Sequence, residues 1–211
     1  MKEPPLINQI VLATHNPDKR VEIAALLSDV GIRVRSLAEF PQAPMVVEDG
    51  ETCEANAIKK AKTIADYTGL TAVADDTGLE VDALGGRPGV HAARYAGAHV
   101  SYEDNWKKLL HELNGVPLEQ RGARFLTVVA IARPGNEQVE TVEGVLTGVI
   151  AQRPAGGGGF GYDPVFVVPQ LWKTLAELTP SEKNRISHRA QAFAKAKAIL
   201  QRLEQSVQVG A

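Results

Sequence analysis

The chain reads as an α/β protein on a mixed sheet, and three stretches say so. Ile10-Val11-Leu12-Ala13-Thr14 is an apolar strand, and Asn16-Pro17 directly after it is a helix start, with Asn as cap and Pro at the first helical position. Strand, short loop and helix in that order form a βα unit. A second apolar run, 71–74, stops in Asp75-Asp76-Thr77-Gly78 before the pattern resumes. Residues 125–132 are apolar on both faces, and 139–150 has strand character interrupted at Gly144 and Gly148. Pro134-Gly135-Asn136 between them is a turn signal, so the two form a long antiparallel hairpin and the sheet cannot be purely parallel.

At 211 residues the chain is one large domain, or one domain with two lobes, and 44% hydrophobic residues are enough for a proper core. A net charge of −2 gives no reason to expect nucleic acid as partner. One cysteine, Cys53, rules out a disulfide framework and a cysteine-based zinc site. Met1-Lys2-Glu3-Pro4-Pro5 is not the start of a signal peptide, and no stretch is apolar enough to span a membrane. The simplest placement is soluble and cytoplasmic.

The remaining elements follow in order. Ile23, Leu26, Leu27 and Val30 make one apolar helix face, which Gly31 closes. A short strand, 32–34, leads into an irregular acidic stretch, 37–50, with Pro41, Pro44, Glu48 and Asp49. Residues 52–67 are helical, with Ala57, Ala61 and Ile64 on one face and Lys59 and Lys60 mid-helix, where lysines usually face water. Gly85-Gly86-Arg87-Pro88-Gly89 is a loop, read equally as an anion-binding turn or a plain surface turn. Trp106, Leu109, Leu110 and Leu113 mark another amphipathic helix, with the Trp in the core. Thr179-Pro180-Ser181-Glu182 is a capping box, and Ser187 a second cap before a last helix faced by Ala192, Ala196, Ile199, Leu200 and Leu203.

Four groups of residues suggest chemistry. Asp75-Asp76 at a strand end places hard oxygen ligands where α/β sheets bind substrates, which suits Mg²⁺ held against phosphates; Asp-Asp-Thr-Gly is equally the composition of a turn. Thr14, Asn16 and Lys19 stand at a helix N-terminus, a ready phosphate site, unless Asn16 only caps and Lys19 is only solvated. There is no Walker loop. Gly156, Gly158 and Gly161 match Gly-x-Gly-x-x-Gly, but strand-like Val165-Phe166-Val167-Val168 follows, so a dinucleotide fingerprint is rejected. A backbone hugging a flat ligand, with Phe160 stacked on it, fits that run better. Lys183, His188 and Arg189 gather near helix starts, where they read an anionic or carbonyl-rich ligand or form an exposed basic turn.

Taken together, Thr14-x-Asn16-x-x-Lys19, Asn56-Ala57-x-x-Lys60-Ala61, Ala74-Asp75-Asp76-Thr77-Gly78-Leu79, Pro88-Gly89-Val90-His91-Ala92-Ala93-Arg94-Tyr95, Gly159-Phe160-Gly161-Tyr162-Asp163-Pro164-Val165-Phe166, Ala176-Glu177-Leu178 and Ser187-His188-Arg189 resemble the Ham1 or RdgB family in content and order. Those are the inosine triphosphate pyrophosphatases, or XTP/dITP diphosphatases, and the resemblance runs from about residue 10 to 203. It implies a single domain over 1–211, with an elongated two-lobed fold on a long mixed β-sheet flanked by helices and an active site in the cleft between lobes. It implies Mg²⁺-dependent hydrolysis of ITP, dITP and XTP to the monophosphate and pyrophosphate, by a homodimer. By position, Thr14, His15, Asn16, Pro17, Asp18 and Lys19 bind the triphosphate, although His15 occupies a variable place and gets no role of its own. Asp76 is the essential acid, as metal ligand and base, with Asp75 and Glu48 as further metal ligands, and Lys60 meets the phosphates. Thr77, Phe160, Gly161, Tyr162, Asp163, Lys183, His188 and Arg189 hold base and sugar.

One departure stands out. The family often has Glu directly before the helical Asn-Ala, whereas here Ala55 stands there and Glu54 one place earlier, so Glu54 is left out of the site. The residue chemistry agrees with the resemblance: water activated near Asp76 attacks the α-phosphorus, and Mg²⁺, Lys19 and Lys60 stabilise the departing pyrophosphate. No covalent intermediate is needed, and Cys53 is inert. Two alternatives stay open: a non-catalytic nucleotide- or RNA-binding module, and a phosphatase working through an aspartyl-phosphate and releasing orthophosphate.

Overall fold

Helix α1 (Pro17–Leu26) starts as its sequence requires: Asn16 is extended and its side chain accepts from the Asp18 and Lys19 amides. The structure, a computed structural model, describes residues 9–208, and Met1-Lys2-Glu3-Pro4-Pro5 lies outside the described residues. Strand β1 (Gln9–Leu12), before α1, buries Ile10, Val11 and Leu12 between two parallel neighbours, so those three positions are apolar. One neighbour is the edge strand β2 (Arg33–Ser36). Helix α2 (Cys53–Thr68) is capped by Thr52 and ends at Gly69 in the left-handed conformation. Its buried stripe is Cys53, Asn56, Ala57, Lys60, Ala61 and Ile64, so an amide and an ammonium share the inward face with small apolar side chains.

Strand β3 (Thr71–Val81) corrects one expectation. It does not stop at Asp75-Asp76-Thr77-Gly78 but runs straight through, because Asp75 and Asp76 have buried partners that replace water. Two-residue β4 (Pro88–Gly89) pairs antiparallel with β3 at Leu79 and Glu80. Helix α3 (Tyr102–Glu112) begins in a Ser101–Asp104 capping box. Then come β5 (Gly122–Ala132) and β6 (Val139–Ile150), neighbours in the sheet. Strand β6 runs unbroken through Gly144 and Gly148; a Cβ at Gly148 would collide with the Phe166 ring. Strands β7 (Phe166–Val168) and β8 (Lys173–Thr174) continue antiparallel from β6. Helix α4 (Pro180–Ile186) carries the expected Thr179–Glu182 capping box, and after extended Ser187 comes α5 (His188–Gln208).

The result is a long mixed sheet flanked by helices, in the order β2-β1-β3-β5-β6-β7-β8 with β4 on β3. Among the described residues the chain forms two compact units, each with its own core. The first comprises residues up to Asp76, Val128–Glu143 and those from Ala190 onward; Ile10, Leu12, Ile23, Leu27, Phe193 and Leu200 pack in it. The second comprises Thr77–Thr127 and Gly144–Arg189, and is packed around Leu79, Leu109, Leu113, Phe125, Val165 and Phe166. No helix among the described residues is long and apolar enough to cross a membrane.

Candidate functional site

In the first unit, α2 turns Asn56 and Lys60 toward β3, and both meet Asp76. Asn56 donates through Nδ2 to Asp76 Oδ2 at 3.2 Å, while Lys60 Nζ lies 3.4 Å from Asp76 Oδ1. The same ammonium donates to Glu48 Oε1 at 2.5 Å and to the Asp75 carbonyl at 2.7 Å. Lys60 is thus buried among acids rather than solvated; its neighbour Lys59 is exposed and pairs with Asp49 at 2.7 Å. Consecutive strand residues face opposite sides. The Asp75 carboxylate pairs with Lys19 at 3.1 Å, and that ammonium is close enough to act on Asp76 as well.

Charge follows this geometry. Burial holds the Asp76 carboxyl above its ordinary range, and nearby Glu48 adds to that; Lys60, Lys19 and the Asn56 amide offset it only in part. Burial alone would depress Lys60, yet Asp76, Asp75 and Glu48 outweigh it and hold the ammonium above its usual value. Burial, with Asp76 nearby, pushes the Cys53 thiol up to about 12, which leaves it protonated and no nucleophile.

The first loop is more self-contained than expected. Thr14 Oγ1 accepts from the Asn16 amide at 3.2 Å, and Asn16 Oδ1 takes the Asp18 and Lys19 amides at 2.9 and 3.2 Å. Pro17 occupies the first helical position, and His15 and Asp18 are exposed. The Asp18 and Lys19 amides at this helix start are thus already taken by Asn16, and the Lys19 ammonium by Asp75.

Among the described residues no group of three His, Cys, Asp or Glu side chains is gathered to hold a metal. The expected set of Asp76, Glu48 and Asp75 is divided, with the Asp75 carboxylate turned to Lys19. The donors that remain together are hard oxygens around one cation, the Lys60 ammonium: Glu48 Oε1, Asp76 Oδ1 and the Asp75 carbonyl. That donor chemistry fits Mg²⁺.

The second unit carries an aromatic–cation group. Lys183 Nζ lies 4.7 Å and the Arg189 guanidinium 5.4 Å from the Phe160 ring centroid, with the Tyr102 ring at 5.8 Å. Asp163 Oδ2 accepts from Lys183 at 2.5 Å and from the Phe160 amide at 2.9 Å. The glycine run serves this arrangement. Gly159 sits at φ +70°, and a Cβ there would strike the Asp163 carboxylate. Arg189 donates to Thr77 Oγ1 at 3.2 Å, and Thr77 shares a 2.7 Å hydroxyl contact with buried Thr127. The His188 ring stacks on Phe125 at 4.4 Å. Lys183, His188 and Arg189 are all buried, so they are not an exposed basic turn. Gly161, at φ +64°, turns the chain into Tyr162, whose hydroxyl donates to the Ala92 carbonyl from within the second core. Arg87 pairs with Glu112 at 3.0 Å, as a surface turn would.

Sequence reasoning missed Asn56, Thr127 and Tyr102. A helical asparagine between good helix formers was a usable signal, since it is a poor choice unless its amide is employed. Thr127 in an apolar strand and Tyr102 at a helix start carry no such mark.

These features define an α/β protein with a buried acid–lysine centre and, on its other unit, an aromatic ring faced by cations. Comparison with known proteins makes this more specific. The sequence model of the Ham1 family matches residues 10–199, and the chain belongs to that family. The dITP/XTP pyrophosphatase of Geobacillus kaustophilus is 52% identical over 189 residues, 90% of this chain and 92% of that protein. That of Desulforamulus reducens is 52% identical over 195 residues, 92% and 96% of the two chains. Among solved structures, a HAM1 protein from Coxiella burnetii matches with TM-score 0.84 at 41% identity, covering 92% of this chain and 98% of that one.

Proposed function

We propose that this chain is a Mg²⁺-dependent pyrophosphohydrolase of non-standard purine nucleoside triphosphates, converting ITP, dITP and XTP to the monophosphate and pyrophosphate. One observation carries the reading: buried Asp76 has one oxygen fixed by an amide and the other beside an ammonium that Glu48 also holds. The names of the relatives, dITP/XTP pyrophosphatases about half identical over nine-tenths of the chain, support it.

In the proposed reaction a water oxygen bonds to the α-phosphorus and the bond to the α–β bridging oxygen breaks. Asp76 accepts the water's proton, the nucleoside keeps one phosphate, and pyrophosphate leaves. Lys19 and Lys60 bring positive charge to the phosphates. Mg²⁺, held by Glu48 and Asp76, would supply charge neutralisation and Lewis acidity when bound. Phe160 would stack on the purine, with Lys183 and Arg189 as donors for its carbonyl oxygens. A cytoplasmic homodimer belongs to the same proposal and is checked by light scattering and fractionation.

The test is product identity. Protein and Mg²⁺ are incubated with ITP, XTP, dITP, ATP and GTP, and pyrophosphate and orthophosphate are assayed separately. Pyrophosphate from the first three, far ahead of ATP and GTP, is the expected outcome. Orthophosphate would point to an aspartyl-phosphate phosphatase instead, and binding without turnover to a non-catalytic module.

A further inference from the structure

Asn56 is the polar residue with the most deliberate placement outside the proposed roles. It is 1% exposed, and both ends of its amide are engaged. Nδ2 donates to Asp76 Oδ2 at 3.2 Å, and Oδ1 accepts from the Gly50 amide at 2.8 Å. Gly50 ends the acidic segment Glu48-Asp49-Gly50, which is otherwise irregular. A Cβ on Gly50 would stand 2.7 Å from Asn56 Oδ1 and 2.9 Å from the Ala55 Cβ, so this approach admits only glycine. Lys60, one helical turn along the same face of α2, holds Glu48 and Asp76 from the other side.

We infer that Asn56 is a positioning residue, a two-ended clamp that holds the Glu48–Gly50 segment to Asp76 and so sets the spacing of the two carboxylates. The inference rests on the proposed function for what those carboxylates do. The reasons for choosing an amide are physical. An aspartate at 56 would repel Asp76 and could not accept from the Gly50 amide while donating to Asp76. A lysine or arginine has no acceptor for Gly50. Only a side chain with donor and acceptor on one planar group serves both ends, and the neutral donor orients Asp76 Oδ2 without adding a second cation beside Lys60. A clamp also explains why a loop with little regular structure holds its carboxylate in place: the entropy of fixing Glu48 is met by contacts at both Gly50 and Lys60.

The test compares wild type with Asn56→Ala and Gly50→Ala, which break the clamp from opposite ends. Loss of a residue that supports metal ligands typically lowers metal affinity or activity by about 10–100-fold. Both variants are therefore expected to raise the Mg²⁺ dissociation constant, measured by calorimetry without nucleotide, by about tenfold or more. Asn56→Ala is also expected to accelerate hydrogen exchange of the Gly50 amide, and to lower kcat on ITP more than it raises KM. In an Asp76→Asn background, Asn56→Ala should add little. Gly50 exchange and the Mg²⁺ dissociation constant both within twofold of wild type in the Asn56 variant would overturn the clamp. If wild type releases no pyrophosphate from ITP, the proposed function falls, while the Gly50 exchange rate still decides whether Asn56 holds the segment.

Discussion

Asp76 is where the buried amide of Asn56 and the ammonium of Lys60 converge in the first unit. Burial and nearby Glu48 raise its carboxyl above the ordinary range, while Lys60, Lys19 and Asn56 oppose that rise. Asp76→Asn keeps the shape and the contact with Lys60 but cannot accept a proton. Turnover of ITP is expected to fall by roughly 10²–10⁴-fold, with near-wild-type thermal unfolding. A rate within threefold of wild type in purified protein would remove Asp76 from the proposed role. In the second unit Arg189 is the group expected to choose the base. Inosine and xanthosine carry a carbonyl at C6 where adenine carries an amino group, and a guanidinium can only donate. Sites built on such a bond discriminate by about 10⁴–10⁵. Arg189→Ala should narrow the ITP-to-ATP ratio of kcat/KM, while Phe160→Ala should lower both together. An unchanged ratio in the Arg189 variant would shift base reading to other groups. Both carboxylates and all three basic residues were visible in the sequence as candidates. Their burial was not, because a lone Lys or Arg in sequence gives no sign of the partner that brings it inside.

The elements that were legible are those with local signals. The Asn16-Pro17 start, the Thr179–Glu182 capping box and the turn at Pro134-Gly135-Asn136 depend on neighbours a few residues away, and all are as expected. Strand β3 was misread because Asp-Asp-Thr-Gly favours a turn locally, while Lys19, Lys60, Asn56 and Thr127, all distant in sequence, satisfy its polar groups in the sheet. Two-residue strands such as β4 and β8 leave no pattern at all. Helix α3 offers a test of its own. Glu112, in its last turn, accepts from Tyr95 Oη at 2.6 Å and from Arg87. The Tyr95 bond, aided by Arg87 and Lys108, holds the Glu112 carboxyl below its ordinary 4.5. A depressed carboxyl contributes stability above its unfolded value and loses it as pH falls through the folded one. Glu112→Gln should therefore cost about 1 kcal/mol at neutral pH, and the cost should fade in acid below 4.5. Denaturant titrations at several pH values would show it, and a cost independent of pH would mean the charge plays no part.

Two cores mean that stability has two addresses. Phe193 and Leu27 are fully enclosed in the first, Leu109 and Leu113 in the second. Phe193→Ala should cost roughly 3–5 kcal/mol and Leu109→Ala roughly 2–5 kcal/mol. Native-state hydrogen exchange should locate each loss mainly in its own unit, since cooperative regions follow contiguous packing. Equal acceleration throughout the chain in both variants would show a single cooperative body. The division was not legible beyond a general expectation of two lobes. The chain passes between the units at Asp76–Thr77, Thr127–Val128, Glu143–Gly144 and Arg189–Ala190, and no shift in composition marks those places.

That path has an outcome for synthesis on the ribosome. The second unit is covalently complete once Arg189 has emerged, since among the described residues none after it belongs to that unit. The first unit contains the N-terminal strand, yet its core needs Phe193, Ala196 and Leu200 from the final helix. Strand β1 and helix α1 are therefore made well before the helix that shares their core. During translation Ile10, Leu12, Ile23 and Leu27 wait without the helix that covers them, while the middle of the chain can already fold. A stop after Arg189 would release a chain with one finished core and one open one, a natural substrate for chaperones and proteases.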